Sequence, residues 1–309
     1  MRWQLSSQRK KVLIAGSGPA GNIFCIIFAR LGWDIYRIVS DWIPPQRNHI
    51  HIIRQRVLEI SKDIDDQLHE LVQLCVKKNS TSLQNGKPIF WIRQNDLVNN
   101  LEKLASSLSN DLDLQLKELT FDIINNYNVI IDATGSRMQL AKKCEKLGLG
   151  NLIIDDAGSF NHYSTIKYKS KKIDNGIWIG NNGSGVVYVE SDNGDITITT
   201  DSEKLTKESL PSFLHELFDE KPIATHNHGA PNIRRSLWSG HPLMRVGDAL
   251  IQLPAQTGFG FTSIFEQGLI CSNSKVKTMK KKLDKFAEQL WLGTVSQYAI
   301  KKYFSSLKN

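Results

Sequence analysis

The sequence predicts an α/β protein: a mixed or parallel sheet dressed with helices and interrupted by an inserted antiparallel β-sheet. Three observations carry this. An apolar run, Val12-Leu13-Ile14-Ala15, breaks into Gly16-Ser17-Gly18-Pro19-Ala20-Gly21 and resumes as the apolar stretch Ile23 to Phe28, which reads as strand, glycine turn and helix. A second all-apolar run, Val129-Ile130-Ile131, leads into Asp132-Ala133-Thr134-Gly135, and a strand apolar on both faces belongs inside a parallel sheet. From Asn151 to about Met244 the chain changes to short segments rich in β-branched and aromatic residues, among them Gly176 to Ile179, Val186 to Glu190 and Asp195 to Thr199. The last two are joined by Ser191-Asp192-Asn193-Gly194, a hairpin signal.

The first glycine turn has a mechanical logic. Gly16 permits the tight turn, Gly18 lets a ligand approach the backbone, and Gly21 lets the helix pack on the strand. Unpaired N–H groups and the positive end of a helix dipole make this an anion site, and a dinucleotide is its natural occupant. Asp34 to Val39 reads as the next strand. An acid that holds a ribose is expected about 20 residues into such a unit. Val39 stands there, and Asp41 is the nearest candidate.

Length and composition set bounds. The chain has 309 residues, 40% hydrophobic and 23% charged, enough for one large or two closely joined domains with a substantial core. No apolar run approaches the ~18 residues of a membrane span, and Met1-Arg2-Trp3-Gln4-Leu5 leads into the first strand without a signal-peptide core. A cytoplasmic protein without a membrane span is the expectation. Cys25, Cys75, Cys144 and Cys271 are scattered without CxxC spacing and read as reduced, buried small hydrophobes. The net charge of +8 favours acidic ligands. It does not imply nucleic acid, because Lys280-Lys281-Lys282 sits among helix-forming residues and reads as a solvated face.

Along the chain, Trp42-Ile43-Pro44-Pro45 makes a rigid loop after the second strand. His49 and His51, two apart in an extended segment, would share one side. With no third ligand nearby they suit a polar lining beside a cofactor rather than a metal. Arg54 to about Leu74 has helical spacing; Pro88 to Ile92 reads as a strand, and Arg93 sits where that strand meets the next helix, able to reach a phosphate. Asp111 to Asn128 reads as a short, poorly patterned connection, and Lys207 to Phe218 as one helix that Pro211 kinks or starts. Gly247-Asp248-Ala249, Pro254 and Gly258-Phe259-Gly260 precede a helix from Phe261 to about Cys271, and a last amphipathic helix covers Glu288 to Leu307. The expected division is 1–150, a first dinucleotide-binding part; 151–243, a substrate-binding β-sheet; and 244–309, the return to the first part with C-terminal helices.

Taken together, Gly16 to Gly21, Arg93, Asp132 to Gly135 and Gly247 to Gly260 resemble, in order and over nearly the whole chain, the FAD-dependent monooxygenases of the aromatic-hydroxylase type, with their Rossmann-like, glutathione-reductase-like FAD fold. The resemblance implies an FAD pyrophosphate on Gly16, Gly18, Ala20 and Gly21, adenosine contacts near Asp41, Arg93 bracing the cofactor, and Gly247-Asp248 on the ribitol. Pro254, Gly258, Phe259 and Gly260 resemble the loop whose N–H groups face the pyrimidine edge of the flavin, where reduced flavin carries negative charge. Pro45 to His51 with Arg56, and Asp132 to Arg137, fit one subgroup. The halogenases' WxWxIP signature is absent, Trp42-Ile43-Pro44 being a fragment of it.

The implied activity is insertion of one oxygen atom from O2 into a small aromatic or unsaturated metabolite through a flavin C4a-hydroperoxide. His49, His51 and His162 are the candidates for hydrogen bonding or proton transfer. Tyr163, Arg235 and Trp238 are the candidate substrate lining. Val39 in place of the ribose acid, the short 111–128 connection, the small sheet and the lack of an Asp-Gly motif for NAD(P)H point to an enzyme that borrows reduced flavin from a partner reductase, with NAD(P)H as an indirect electron source. A flavin-dependent reductase or dehydrogenase of the same fold, and a non-catalytic FAD or dinucleotide binder, are the alternatives.

Overall fold

The computed structural model describes residues 9–39, 50–77, 89–159, 163–169, 176–181, 186–192, 195–200, 207, 212–219, 221–228, 232–253 and 259–306. Its first half runs β1 (Lys11–Ala15), α1 (Pro19–Arg30), β2 (Asp34–Ile38), β3 (Ile50–Arg54), α2 (Gln55–Ile64), α3 (Asp66–Cys75), β4 (Val76–Lys77), β5 (Ile89–Arg93), α4 (Gln94–Leu108), β6 (Asn110–Asp111), α5 (Phe121–Asn125), β7 (Val129–Asp132) and α6 (Gln139–Lys146). Seven strands follow: β8 (Gly150–Ser159), β9 (Tyr163–Lys169), β10 (Gly176–Asn181), β11 (Val186–Asp192), β12 (Asp195–Thr200), then, after the short α7 (His215–Phe218), β13 (Ala224–His228) and β14 (Asn232–Gly240). β15 (Leu243–Arg245), β16 (Ile251–Gln252), α8 (Phe259–Ser272) and α9 (Val276–Ser306) close the chain.

The organising sheet has the order β15-β7-β1-β2-β6, with every neighbouring pair parallel. Val12, Leu13, Ile14, Ala15 and Val129 to Asp132 are buried, as expected for central parallel strands covered on both faces. One face carries α1, which packs against α4 and α8. With protein on all sides, α1 is buried from Ala20 to Phe28 rather than along one stripe. Gly268 of α8 packs closely on α1 and α2, since a Cβ there would meet Ile64 of α2 and Ile27 and Ile23 of α1 at 3.0 to 3.3 Å. The other face is a second core of Leu13, Ile38, Ile130, Met138, Leu140, Cys144, Trp238 and Leu243.

Antiparallel sheets make up the rest: β10-β11-β12-β9-β13, β16-β14-β8 and β3-β5-β4. The first contains the three expected short strands and adds β9 and β13, and it closes on a small core of Tyr168, Val189, Ile196, Ile198, Leu214 and Leu217. β8 and β14 pair over almost their whole length. Among the described residues, no helix is long and apolar enough to cross a membrane.

Several elements depart from the sequence expectation. The helix expected over 54–74 is two helices, because Asp65 takes an extended conformation and its carboxylate accepts a hydrogen bond from the Leu68 N–H at 3.0 Å, capping α3. The 111–128 connection is ordered by Thr120, whose hydroxyl caps α5. Within the expected 207–218 helix, the described residues form a 3-10 turn at Ser212–Leu214 followed by α7; residues 208–211, Pro211 among them, lie outside the described residues. The last helix starts at Val276, twelve residues before Glu288, because Met279, Leu283 and Ala287 bury one face of it between the lysines.

Candidate functional site

The carboxyl ends of β1, β7 and β15 meet at three backbone turns. Gly16 holds φ of +112°, and a side chain there would run into the Ala133 carbonyl, just past β7. Hydrogen bonds lock the turns in place, from Gly16 N–H to the Ile38 carbonyl (3.1 Å), Ala133 N–H to the Ala15 carbonyl (2.9 Å) and Val246 N–H to the Asp132 carbonyl (3.0 Å). Gly247 also has a left-handed φ, +60°, and a Cβ on it would stand 2.7 Å from the Ala20 Cβ in the first turn of α1. The second glycine segment is therefore pressed onto the first.

Buried polar groups hold this arrangement. Asp132 accepts from Thr134 N–H (2.9 Å), Thr134 Oγ1 (2.6 Å) and Ala141 N–H (2.8 Å). Burial raises its pKa, and these donors work against that rise. Gly247 N–H donates to Gln267 Oε1 at 2.7 Å. Asn22 Nδ2 donates to the Ser17 carbonyl at 3.0 Å, and its Oδ1 accepts from Arg37 Nη1 at 3.2 Å. Arg37 is 1% exposed and reaches Asp111 through two bonds, 2.7 and 2.8 Å, as well as Glu102 at 2.9 Å and Ser106 at 2.8 Å. Burial disfavours its charge, but the bonds to Asp111 and Glu102 outweigh this and raise its pKa.

What remains open suits an anionic, hydroxyl-bearing ligand. Gly18, the residue before α1, has no side-chain cap, and a Cβ built on it meets nothing within 4 Å. The N–H groups of the first turn thus face an open cradle, and Pro19 at the helix start removes one donor that would have gone unpaired. Asp248, in the 3-10 turn Gly247–Ala249, is accessible at its surface yet closely ringed by protein. Desolvation pushes its carboxyl up to about 6 from 3.8. The cradle and the accessible carboxylate fit the pyrophosphate and ribitol of FAD. The ribose end fits less well, because Val39 is 37% exposed at the end of β2 and offers no hydrogen bond.

No protein-family model matches the chain, and no curated protein matches it. Solved structures do. The tetrameric form of 2-methyl-3-hydroxypyridine-5-carboxylic acid oxygenase superimposes with a TM-score of 0.68 at 12% identity, covering 96% of this chain and 93% of that one. The flavin-dependent brominase Bmp2 gives 0.63 at 15% identity, covering 93% and 84%. The tetracycline destructase Tet(55) gives 0.61 at 14%, covering 93% and 88%. The chain has the fold of the flavin-dependent oxygenases and halogenases.

On the flavin-oxygenase fold the expected residues fall into three groups. Gly16, Gly18, Ala20, Gly21, Gly247 and Asp248 converge at the carboxyl ends of β1, β7 and β15, and Phe259 and Gly260 open α8. Arg93 ends β5 and adjoins α4, and His51 lies in β3, paired with Ile92. Tyr163 starts β9 opposite His228. Asp41, His49, His162, Pro254 and Gly258 lie outside the described residues.

The third group is engaged in structure. Trp238 is 5% exposed in the second core, with its Nε1–H donating to the His241 carbonyl at 2.9 Å. Arg235 pairs with Asp155 at 2.6 Å and stacks over Trp291 at 5.5 Å. Sequence reasoning missed Asn22, Arg37 and Gln267, which brace the turns. A polar Asn22 within an otherwise apolar helix segment was the available signal; Arg37 and Gln267 carried none.

Proposed function

We propose that this chain is a flavin-dependent monooxygenase that acts on a small aromatic or unsaturated metabolite. The observation that carries the proposal is the convergence of Gly16, Gly18, Ala133 and Gly247 on the first turn of α1, with the accessible Asp248 beside them. The first-turn N–H groups would hold the pyrophosphate and Asp248 the ribitol hydroxyls. The segment from Pro254 to Gly260 would present backbone N–H groups to the pyrimidine edge. Bound there and reduced, the flavin supplies dioxygen activation. The protein's own part is to orient the substrate within ~3–3.5 Å and to exclude water. The antiparallel sheet β10-β11-β12-β9-β13 is the proposed substrate platform, with His49, His51 and His162 as the proton-handling candidates.

Val39 favours a second element of the reading, that reduced flavin is borrowed from a reductase rather than held permanently. Without an acid at the end of β2, adenosine loses its charged anchor, which weakens the hold on the oxidised and reduced forms alike. The experiment is single turnover: purified protein, chemically reduced FAD and oxygen, with a panel of phenols, indoles and pyridines. An oxygenated product from at least one of them supports the proposal, and peroxide alone with every substrate rejects it.

A further inference from the structure

We propose that the groove at the opposite end of the parallel sheet from the glycine turns binds a phosphate monoester with a planar, aromatic body. Lys10, Asn128 and Pro242 precede β1, β7 and β15, so the residues around this groove lie at the amino ends of the three strands whose carboxyl ends form the cofactor cradle. The five residues of β1 separate the two ends by roughly 15 Å. The inference is therefore independent of the flavin reading.

The groove is a cavity of about 410 Å³, within the range of ~300–1,000 Å³ for small-molecule pockets. Its apolar lining is Trp33, Val129, Met244 and Val276. Trp33 is held by an edge-on contact with Phe28, ring centroids 5.2 Å apart, which leaves an indole as fixed lining. Three lysines, Lys10, Lys277 and Lys280, also line it, and among the described lining residues there is no acid.

These lysines are not equally satisfied. Lys280 donates to the Trp238 carbonyl (3.1 Å) and to Asp284 Oδ2 (3.3 Å). Lys10 lies over the Trp33 ring, its Nζ 5.6 Å from the centroid. Among the described residues neither Lys10 nor Lys277 has a carboxylate partner. Lys277 and Lys280 moreover sit in the first turns of α9, which contains no acid at its start. Cations there oppose the helix dipole. Lys10 and Lys277 thus bring two ammonium groups without carboxylate partners among the described residues to one cavity, and a dianion offsets them more fully than a monoanion. A phosphate monoester carries about −1.5 to −2 at neutral pH. The indole lining suits a planar body stacked beside it, with the cation–aromatic pair of Lys10 and Trp33 marking where charge and ring meet.

Isothermal titration of the full chain with 1-naphthyl phosphate tests this, with 1-naphthol and inorganic phosphate as separate probes. The expected result is saturable binding of 1-naphthyl phosphate, at least tenfold tighter than either probe alone. In the double variant Lys10→Gln/Lys277→Gln the Kd rises at least tenfold. In Lys281→Gln/Lys282→Gln, which removes two exposed lysines of α9 outside the groove, it stays within twofold. Both double variants alter exposed side chains, and an unchanged unfolding midpoint checks that each is folded. Absence of saturable binding, equal loss in both double variants, or inorganic phosphate binding as tightly as the aryl ester would overturn the proposal.

Discussion

Gly247 faces Ala20 so closely that a methyl group on the glycine would lie 2.7 Å from the alanine Cβ. This contact ties the strand-turn that carries Asp248 to the start of α1. Gly247→Ala combines a left-handed backbone penalty with an overpacked contact, and we expect a loss of about 2–4 kcal/mol in urea unfolding. Adding Ala20→Gly relieves the contact but not the dihedral, so the double variant recovers part of the loss. Full recovery, or none, would contradict this division.

Gly16 and Gly18 separate folding from binding. Gly16→Ala drives a methyl group into the Ala133 carbonyl and should lower the thermal midpoint by several degrees. Gly18→Ala points into open space. Its melting temperature should match the parent's, while its affinity for flavin falls at least tenfold, because the methyl occupies the cradle. Equal melting shifts in the two variants would refute the distinction.

The legible part of this structure is the part fixed by local sterics. The glycine turn after Val12 to Ala15 and the all-apolar Val129 to Ile131 announce a parallel sheet and its ligand end, because backbone clashes and two-sided burial restrict which residues can stand there. What could not be read depends on distant partners. Arg37 looks like an ordinary polar residue in a short strand until Asp111, 74 positions away, and Glu102 close around it. β8 and β14 find each other across 80 positions, as in Arg235 and Asp155, and no local pattern marks that pairing. The lysine-rich 275–285 region hides an amphipathic stripe, since Met279 and Leu283 are buried while Lys281 and Lys282 are exposed. Arg235 and Trp238 suit a pocket lining by residue type, and type alone does not foretell the ion pair with Asp155 or the core position that they hold.

The Arg37 cluster should be energetically costly to break. Arg37→Met leaves Asp111 and Glu102 facing each other without their cation, and Asn22 without the donor to its Oδ1. Arg37 is buried, but Asp111 and Glu102 keep 45% and 33% of their side chains exposed, so the loss should fall below the ~3–5 kcal/mol of a fully buried pair, at about 1–3 kcal/mol. Chemical denaturation should show a loss of that size, and a loss under 1 kcal/mol would mean solvent already screens the cluster.

Asp248 gives a pH signature. Its folded pKa, about 6, lies above the ordinary 3.8. The folded state therefore holds the proton more tightly than the unfolded state, and its contribution to stability is present below the unfolded pKa and is lost as pH rises through the folded one. Asp248→Asn should be more stable than the parent at pH 7, with the difference vanishing near pH 4. Melting curves across that range would test it, and a difference independent of pH would contradict it.

The central claim is that the turns at Gly16, Gly18 and Gly247 form a flavin cradle. Its most direct test is an anaerobic titration of the purified full chain with oxidised and with reduced FAD, followed by visible absorbance and flavin fluorescence. Saturable binding of both forms is expected, weak enough that oxidised FAD is lost through purification, as befits a flavin borrowed from a reductase. Failure to bind either form would contradict the account.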